Sequence, residues 1–135
     1  MHEWSLADAV LKTSIKEAEK RNLEELTRVK VVFGELQGIE EEIVRFALDN
    51  LKKGTIAEGA DFLFLKEEAT FKCRNCNNTW KLKEINLNNN STRECIHFVP
   101  EVVHSFMRCS KCGSPDFEVV SGRGIYIKEI TGEKP

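Results

Sequence analysis

The chain has 135 residues, 41% of them apolar and 31% charged, a composition that suits one ordinary globular domain or two small ones. A net charge of −2 and an isoelectric point near 6.0 exclude an overall field that would draw it to nucleic acid or to an anionic membrane. No stretch approaches the ~20 apolar residues needed to cross a bilayer, and Met1-His2-Glu3-Trp4 lacks the basic flank and apolar run of a signal peptide.

The spacing of Trp4, Ala7, Leu11, Ile15 and Ala18 predicts an amphipathic helix over residues 4–21, with Lys12, Lys16, Glu19 and Lys20 facing water. Ser5 to Asp8 has capping-box spacing, Glu3 offers an alternative first turn, and Asn22 is the expected stop. Residues 28–36 alternate as a strand, with Val29, Val31 and Phe33 on one face. Gly38 breaks it. A second helix is expected over 39–53, its anions Glu40, Glu41 and Glu42 at the N-terminus and Lys52 and Lys53 at the C-terminus, with Gly54 beyond. Its buried stripe reads as Ile43, Ala47, Leu48 and Leu51 with Phe46. A further strand spans 60–66.

Two C-x₂-C pairs follow, Cys73-Arg74-Asn75-Cys76 and Cys109-Ser110-Lys111-Cys112. Each pair lets a tight turn place two sulfurs about 2.3 Å from one divalent ion, and two such turns close a tetrahedral shell. Asn77 and Asn78 after the first knuckle, and Gly113 and Ser114 after the second, supply turn chemistry, and the aromatics Trp80 and Phe117 lie close behind. Thiols kept free for metal imply a reducing compartment, so a cytoplasmic location is expected. The reading is a structural zinc ribbon over residues 69–121 on Cys73, Cys76, Cys109 and Cys112. The spacer from Asn77 to Arg108 exceeds what a minimal ribbon needs, so 81–104 reads as an insertion.

Gly122-Arg123-Gly124 reads as a hinge, followed by a strand over 125–130 and a frayed tail over 131–135. That strand finds no partner in a small ribbon and is expected to return to the first sheet. The fold class is therefore α+β, two helices packed on a small three-stranded sheet with an inserted zinc-ribbon module. The first domain, residues 1–68 plus 122–135, is discontinuous.

The second candidate site is the N-terminus. A free α-amine has a pKa near 8, so a metal competes for it far more easily than for a lysine amine. His2 adds an imidazole, and an ionised amide between them closes small chelate rings of the kind nickel and copper favour. Such a set needs a further donor, the Glu3 amide or another histidine.

Taken in order, Met1-His2-Glu3-Trp4-Ser5-Leu6-Ala7, Val29-Lys30-Val31-Val32-Phe33-Gly34-Glu35-Leu36, Phe71-Lys72-Cys73-Arg74-Asn75-Cys76 and Cys109-Ser110-Lys111-Cys112-Gly113-Ser114 resemble the HypA/HybF family of nickel metallochaperones for [NiFe] hydrogenase. The resemblance implies an N-terminal nickel domain on an α/β scaffold and a zinc domain on the four cysteines. It implies nickel bound through the Met1 amine, His2 and the Glu3 backbone. It also implies two partners, a nucleotide-hydrolysing maturation protein of the HypB type and the hydrogenase large subunit. The long spacer departs from the usual pattern and looks like that of archaeal members.

The insertion holds Cys95, His97 and His104. His97 is the choice for an extra nickel donor, ahead of His104, and Cys95 reads as a thiol outside the metal shell. Glu35 and Glu40 lack a partnered nucleophile and no phosphate-binding loop is present, so a binding and delivery protein is expected rather than an enzyme. No nucleic-acid or membrane partner is expected, and a homodimer is compatible with the sequence. Two other readings stand beside nickel delivery: a rubredoxin-like iron redox protein, since tetrahedral S₄ suits iron as well as zinc, and a zinc-ribbon adaptor without transport.

Overall fold

The computed structural model describes residues 2–82 and 107–135. In order these form α1 (Glu3–Lys20), β1 (Glu25–Gly34), a 3₁₀ turn (Glu35–Gln37), α2 (Glu41–Leu51), β2 (Asp61–Glu67), β3 (Thr70–Cys73), β4 (Thr79–Lys81), β5 (Phe117–Ser121) and β6 (Ile125–Glu133). The chain divides into two compact units. One comprises Met1–Val32, Ile39–Leu65 and Tyr126–Pro135; the other comprises Phe33–Gly38 and Lys66–Ile125.

In the first unit the two helices pack on each other, and the sheet order is β2-β1-β6. α1 starts at Glu3 rather than at the Ser5 capping box, and it ends in a Schellman motif. Asn22 adopts φ 57°, its N–H reaches the Glu19 carbonyl at 3.1 Å, and the Leu23 N–H reaches the Ala18 carbonyl at 2.9 Å. The buried stripe of α1 is Ala7, Val10, Leu11, Ser14 and Ala18. Ser14 is tolerated there because its hydroxyl donates to the Val10 carbonyl at 2.7 Å.

Trp4 was expected inside and is 47% exposed. α2 likewise buries Val44, Ala47 and Leu48, leaving Ile43 exposed and Phe46 63% exposed. Both corrections have one cause. Each helix had a wide apolar arc, and packing selected its centre, so the flanking Trp4 and Phe46 meet edge to face outside at 6.0 Å.

β6 supplies the third strand of that sheet and runs to Glu133, so the tail expected over 131–135 is strand for most of its length. The Glu24 N–H donates to the Glu133 carbonyl at 2.7 Å and the Thr27 hydroxyl to the Thr131 carbonyl at 3.1 Å. These bonds, with the Lys30–Glu129 ion pair at 3.4 Å, tie β6 to β1.

The second unit has an antiparallel sheet in the order β4-β3-β5, with Phe71 opposite Trp80 on one side and Val119 on the other. Phe71, Trp80 and Phe117 stack with ring centroids 5.4 to 5.9 Å apart, and Leu36, Ala69 and Met107 close the core around them. β1 stops at Gly34, two residues earlier than the alternation predicted, because Glu35–Gln37 turns to place Leu36 in this core. The turn is pinned by the Ala69 N–H, which donates to the Glu35 carboxylate at 2.9 Å.

The glycines expected as a hinge are held instead. Gly122, at φ 88°, accepts from the Leu36 N–H at 2.9 Å and donates to the Glu67 carboxylate at 2.8 Å. A Cβ on Gly34 would lie 2.3 Å from the Gly122 carbonyl oxygen, and the Gly34 N–H donates to the Gly124 carbonyl at 2.8 Å. Backbone meets backbone there, and no flexible side chain can yield. Gly34→Ala should therefore cost about 2 kcal/mol or more in denaturant unfolding, against under about 1 kcal/mol for Gly54→Asn, where φ is positive but space is open.

Candidate metal centre

The two knuckles are built to the same plan. In the first, the Cys73 N–H donates to the Asn78 carbonyl at 2.8 Å and the Asn77 N–H to the Cys73 carbonyl at 3.0 Å. In the second, the Cys109 N–H donates to the Ser114 carbonyl at 2.9 Å and the Gly113 N–H to the Cys109 carbonyl at 2.9 Å. The fourth residue after each leading cysteine takes the left-handed conformation, Asn77 at φ 64° and Gly113 at φ 75°. Asparagine and glycine are the residues that adopt it at least cost. This is the turn chemistry the sequence showed.

β3 ends on Cys73, which faces Phe117 at the start of β5, so the sheet carries both knuckles to one end. The Arg74 N–H donates to the Asp116 carbonyl at 3.0 Å, and its guanidinium pairs with the Asp116 carboxylate at 2.8 Å and reaches the Phe117 carbonyl at 3.2 Å.

The four Sγ atoms consequently lie within 4.8 Å of one another, with Cys73–Cys112 and Cys76–Cys109 each at 3.6 Å. Sulfurs about 2.3 Å from a common centre in a tetrahedron stand about 3.8 Å apart, so the set fits a thiolate-held metal ion. Cys73 and Cys109 are buried, Cys76 is half-buried and Cys112 is exposed. Among the described residues this is the one cluster of its kind.

At the other end of the chain, His2 is exposed and caps α1, its carbonyl accepting the Leu6 N–H at 2.9 Å. Glu3 is only 5% exposed, and its carboxylate accepts the Glu40 N–H at 3.4 Å, at the positive N-terminus of α2. Met1, Cys95, His97 and His104 lie outside the described residues.

Residues 1–132 match the family model described as hydrogenase/urease nickel incorporation, metallochaperone, HypA. The chain belongs to the HypA family. It is 56% identical to the hydrogenase maturation factor HypA of Pyrococcus furiosus, over 99% of this chain and 97% of that one. It is 53% identical to the protein of the same name from Thermococcus gammatolerans, with the same coverage. The solution structure of the nickel metallochaperone HypA from Helicobacter pylori shares the fold, with a TM-score of 0.66 at 17% identity over the full length of both chains.

Within this HypA-family chain the thiols differ in acidity before metal binds. Burial raises Cys109, but the N–H groups of Cys112 and Lys111, the Cys76 sulfur and the Asn78 amide together bring it down to about 6. Cys112 is lowered by the side-chain amide of Asn75 and the backbone of Ser114, against burial. For Cys76 the backbone N–H of Asn78 lowers the value, yet burial and the three neighbouring sulfurs prevail and push it up to about 11.

The part that sequence reading missed is the role of Asn75 and Asn78 on these sulfurs. Asn78 was visible only as turn chemistry, and Asn75 only as a residue between the two cysteines. No described helix is long and apolar enough to cross a membrane.

Metal requires thiolates, so filling the site at neutral pH must expel the Cys76 proton. Below about pH 6 Cys109 is protonated in the metal-free chain as well, so a further proton must leave. Apparent zinc affinity, measured by competition with a chelator, should fall as pH falls and fall more steeply below about pH 6.

Proposed function

We propose that this chain binds Ni(II) at its N-terminus and delivers it to the large subunit of [NiFe] hydrogenase, acting as a carrier with no catalytic step of its own. Membership of the nickel-incorporation family is the observation that carries this reading. The nickel donors are the Met1 amine, His2 and the Glu3 backbone, with His97 as a further donor. Two features support the set. His2 is exposed where an incoming ion needs it, while Glu3, one residue on, is anchored by its carboxylate against the N-terminus of α2. A short anchored tripeptide offers nickel a nitrogen-rich set with ligand positions left open, which suits a metal that must be handed on.

Cys73, Cys76, Cys109 and Cys112 hold a structural zinc in this reading. Strands of four, three and five residues form too small a sheet to stand without a staple, and four thiolates on a tetrahedral ion supply one. In that role the zinc keeps the ribbon folded. The assignment keeps cargo and structural metal on different donor types, nitrogen at the N-terminus and sulfur in the ribbon. The partners are a nucleotide-hydrolysing maturation protein of the HypB type, since the chain has no phosphate-binding loop, and the hydrogenase subunit. The setting is the cytoplasm, where thiols stay reduced.

Equilibrium dialysis against nickel and zinc with elemental analysis tests both assignments. The wild-type chain should hold one zinc and one nickel. His2→Ala, and a form with one residue added before Met1, should each lose at least about tenfold in nickel affinity while keeping zinc. His97→Ala should lose less. Unchanged nickel affinity in both N-terminal variants removes the terminal site, and iron in place of zinc, with colour, makes the ribbon a redox centre.

A further inference from the structure

The knuckles share a plan, but they do not treat each other alike. The position two residues after the leading cysteine is Asn75 in the first and Lys111 in the second; five residues after, it is Asn78 and Ser114. Both asparagines donate across the centre. The Asn75 side-chain amide reaches Cys112 Sγ at 3.5 Å, and that of Asn78 reaches Cys109 Sγ at 3.6 Å and the Ser110 hydroxyl at 3.4 Å.

Their counterparts do not reciprocate in kind. The Ser114 hydroxyl is engaged within its own loop, accepting the Asp116 N–H at 3.1 Å, and Lys111 is exposed. Among the described residues the side-chain donors to sulfur therefore run one way, from the first knuckle to the sulfurs of the second.

The direction matters because the ligands differ in access. Cys112 is the exposed member of the set, so a competing chelator or thiol meets it first. Four thiolates around a divalent ion leave a net charge of two minus, and that excess charge makes each sulfur basic and open to protonation, which releases it from the metal. An N–H placed on a ligand sulfur draws off part of the charge and tethers the sulfur in position. A carrier that handles a second metal has particular need of such a restraint, because its structural ion must not trade places with its cargo.

We propose that Asn75 and Asn78 are positioning residues of the metal centre, their side-chain amides holding Cys112 and Cys109 as ligands so that the zinc resists exchange with nickel and with competing chelators. The inference rests on reading the four cysteines as a zinc site. Asn75, on the exposed sulfur, carries the larger share.

The test uses the full-length zinc-loaded chain and follows zinc loss to 4-(2-pyridylazo)resorcinol by absorbance, with and without excess Ni(II). Asn75→Ala should release zinc about tenfold faster than wild type, and Asn78→Ala less than that. Asn75→Asp, which keeps the shape but removes the donor, should match or exceed Asn75→Ala. Val120→Thr, which changes an exposed side chain of β5 and no donor to the sulfurs, should release at the wild-type rate.

The cobalt-substituted variants should keep the sulfur-to-cobalt absorption of an intact four-thiolate shell. Wild-type release rates in both Asn75 variants overturn the proposal while leaving the zinc assignment standing. So does equal acceleration in Val120→Thr, which would mean a loosened ribbon. A wild-type chain that retains no zinc through dialysis overturns the zinc assignment and the proposal together.

Discussion

The convergence of four sulfurs within 4.8 Å is the constraint on which the second unit depends. Its sheet is short, and among the described residues its core is three aromatic rings closed by Leu36, Ala69 and Met107. Packing of that size gives a shape but little surplus stability over the entropy of ordering the chain. Two left-handed turns, at Asn77 and Gly113, convert two separate stretches of chain into one donor set. The Phe71, Trp80 and Phe117 cluster orients the strands that carry those turns. Core and donor set support each other, since Cys73 and Cys109 belong to both.

The first unit follows another logic. Its helices and three-stranded sheet bury an aliphatic core of ordinary kind, with Val29, Val31, Val44 and Leu48 fully inside. Nothing among its described residues calls for a metal staple. Glu3 links structure to proposed function there. Its carboxylate is buried for its interaction with the N-terminus of α2, and its backbone belongs to the tripeptide assigned to nickel. The proposed assignment of a sulfur site to zinc and a nitrogen-based terminal site to nickel uses the different preferences of the two metals.

Much of this was legible in the residues. The knuckles, the two helices and the strands of the first sheet to within a few positions, and the return of the last strand to that sheet all follow from spacing, periodicity and the lack of a local partner for 125–130. What misled was the width of apolar arcs and the reading of glycine. Trp4 and Phe46 lie at the rim of their helices, where periodicity alone does not separate buried from exposed. Gly122 looked like a flexible link because a lone sequence shows the absence of a side chain. It does not show the backbone of Ala69 and the Gly34 strand end pressed against it.

The sequence by itself determined the chemistry of this protein: four thiols in two turn-forming pairs, an imidazole beside the N-terminus, and the alternation of elements that makes an α+β chain. Those depend on residue type and local spacing, which are printed in the chain. Only the tertiary structure decided that Leu36 serves the ribbon core, that β6 is paired out to Glu133, and that Asn75 and Asn78 reach the sulfurs of the opposite knuckle. Each of those joins residues some thirty to a hundred positions apart, where packing and hydrogen bonding set the partner and local pattern carries no signal.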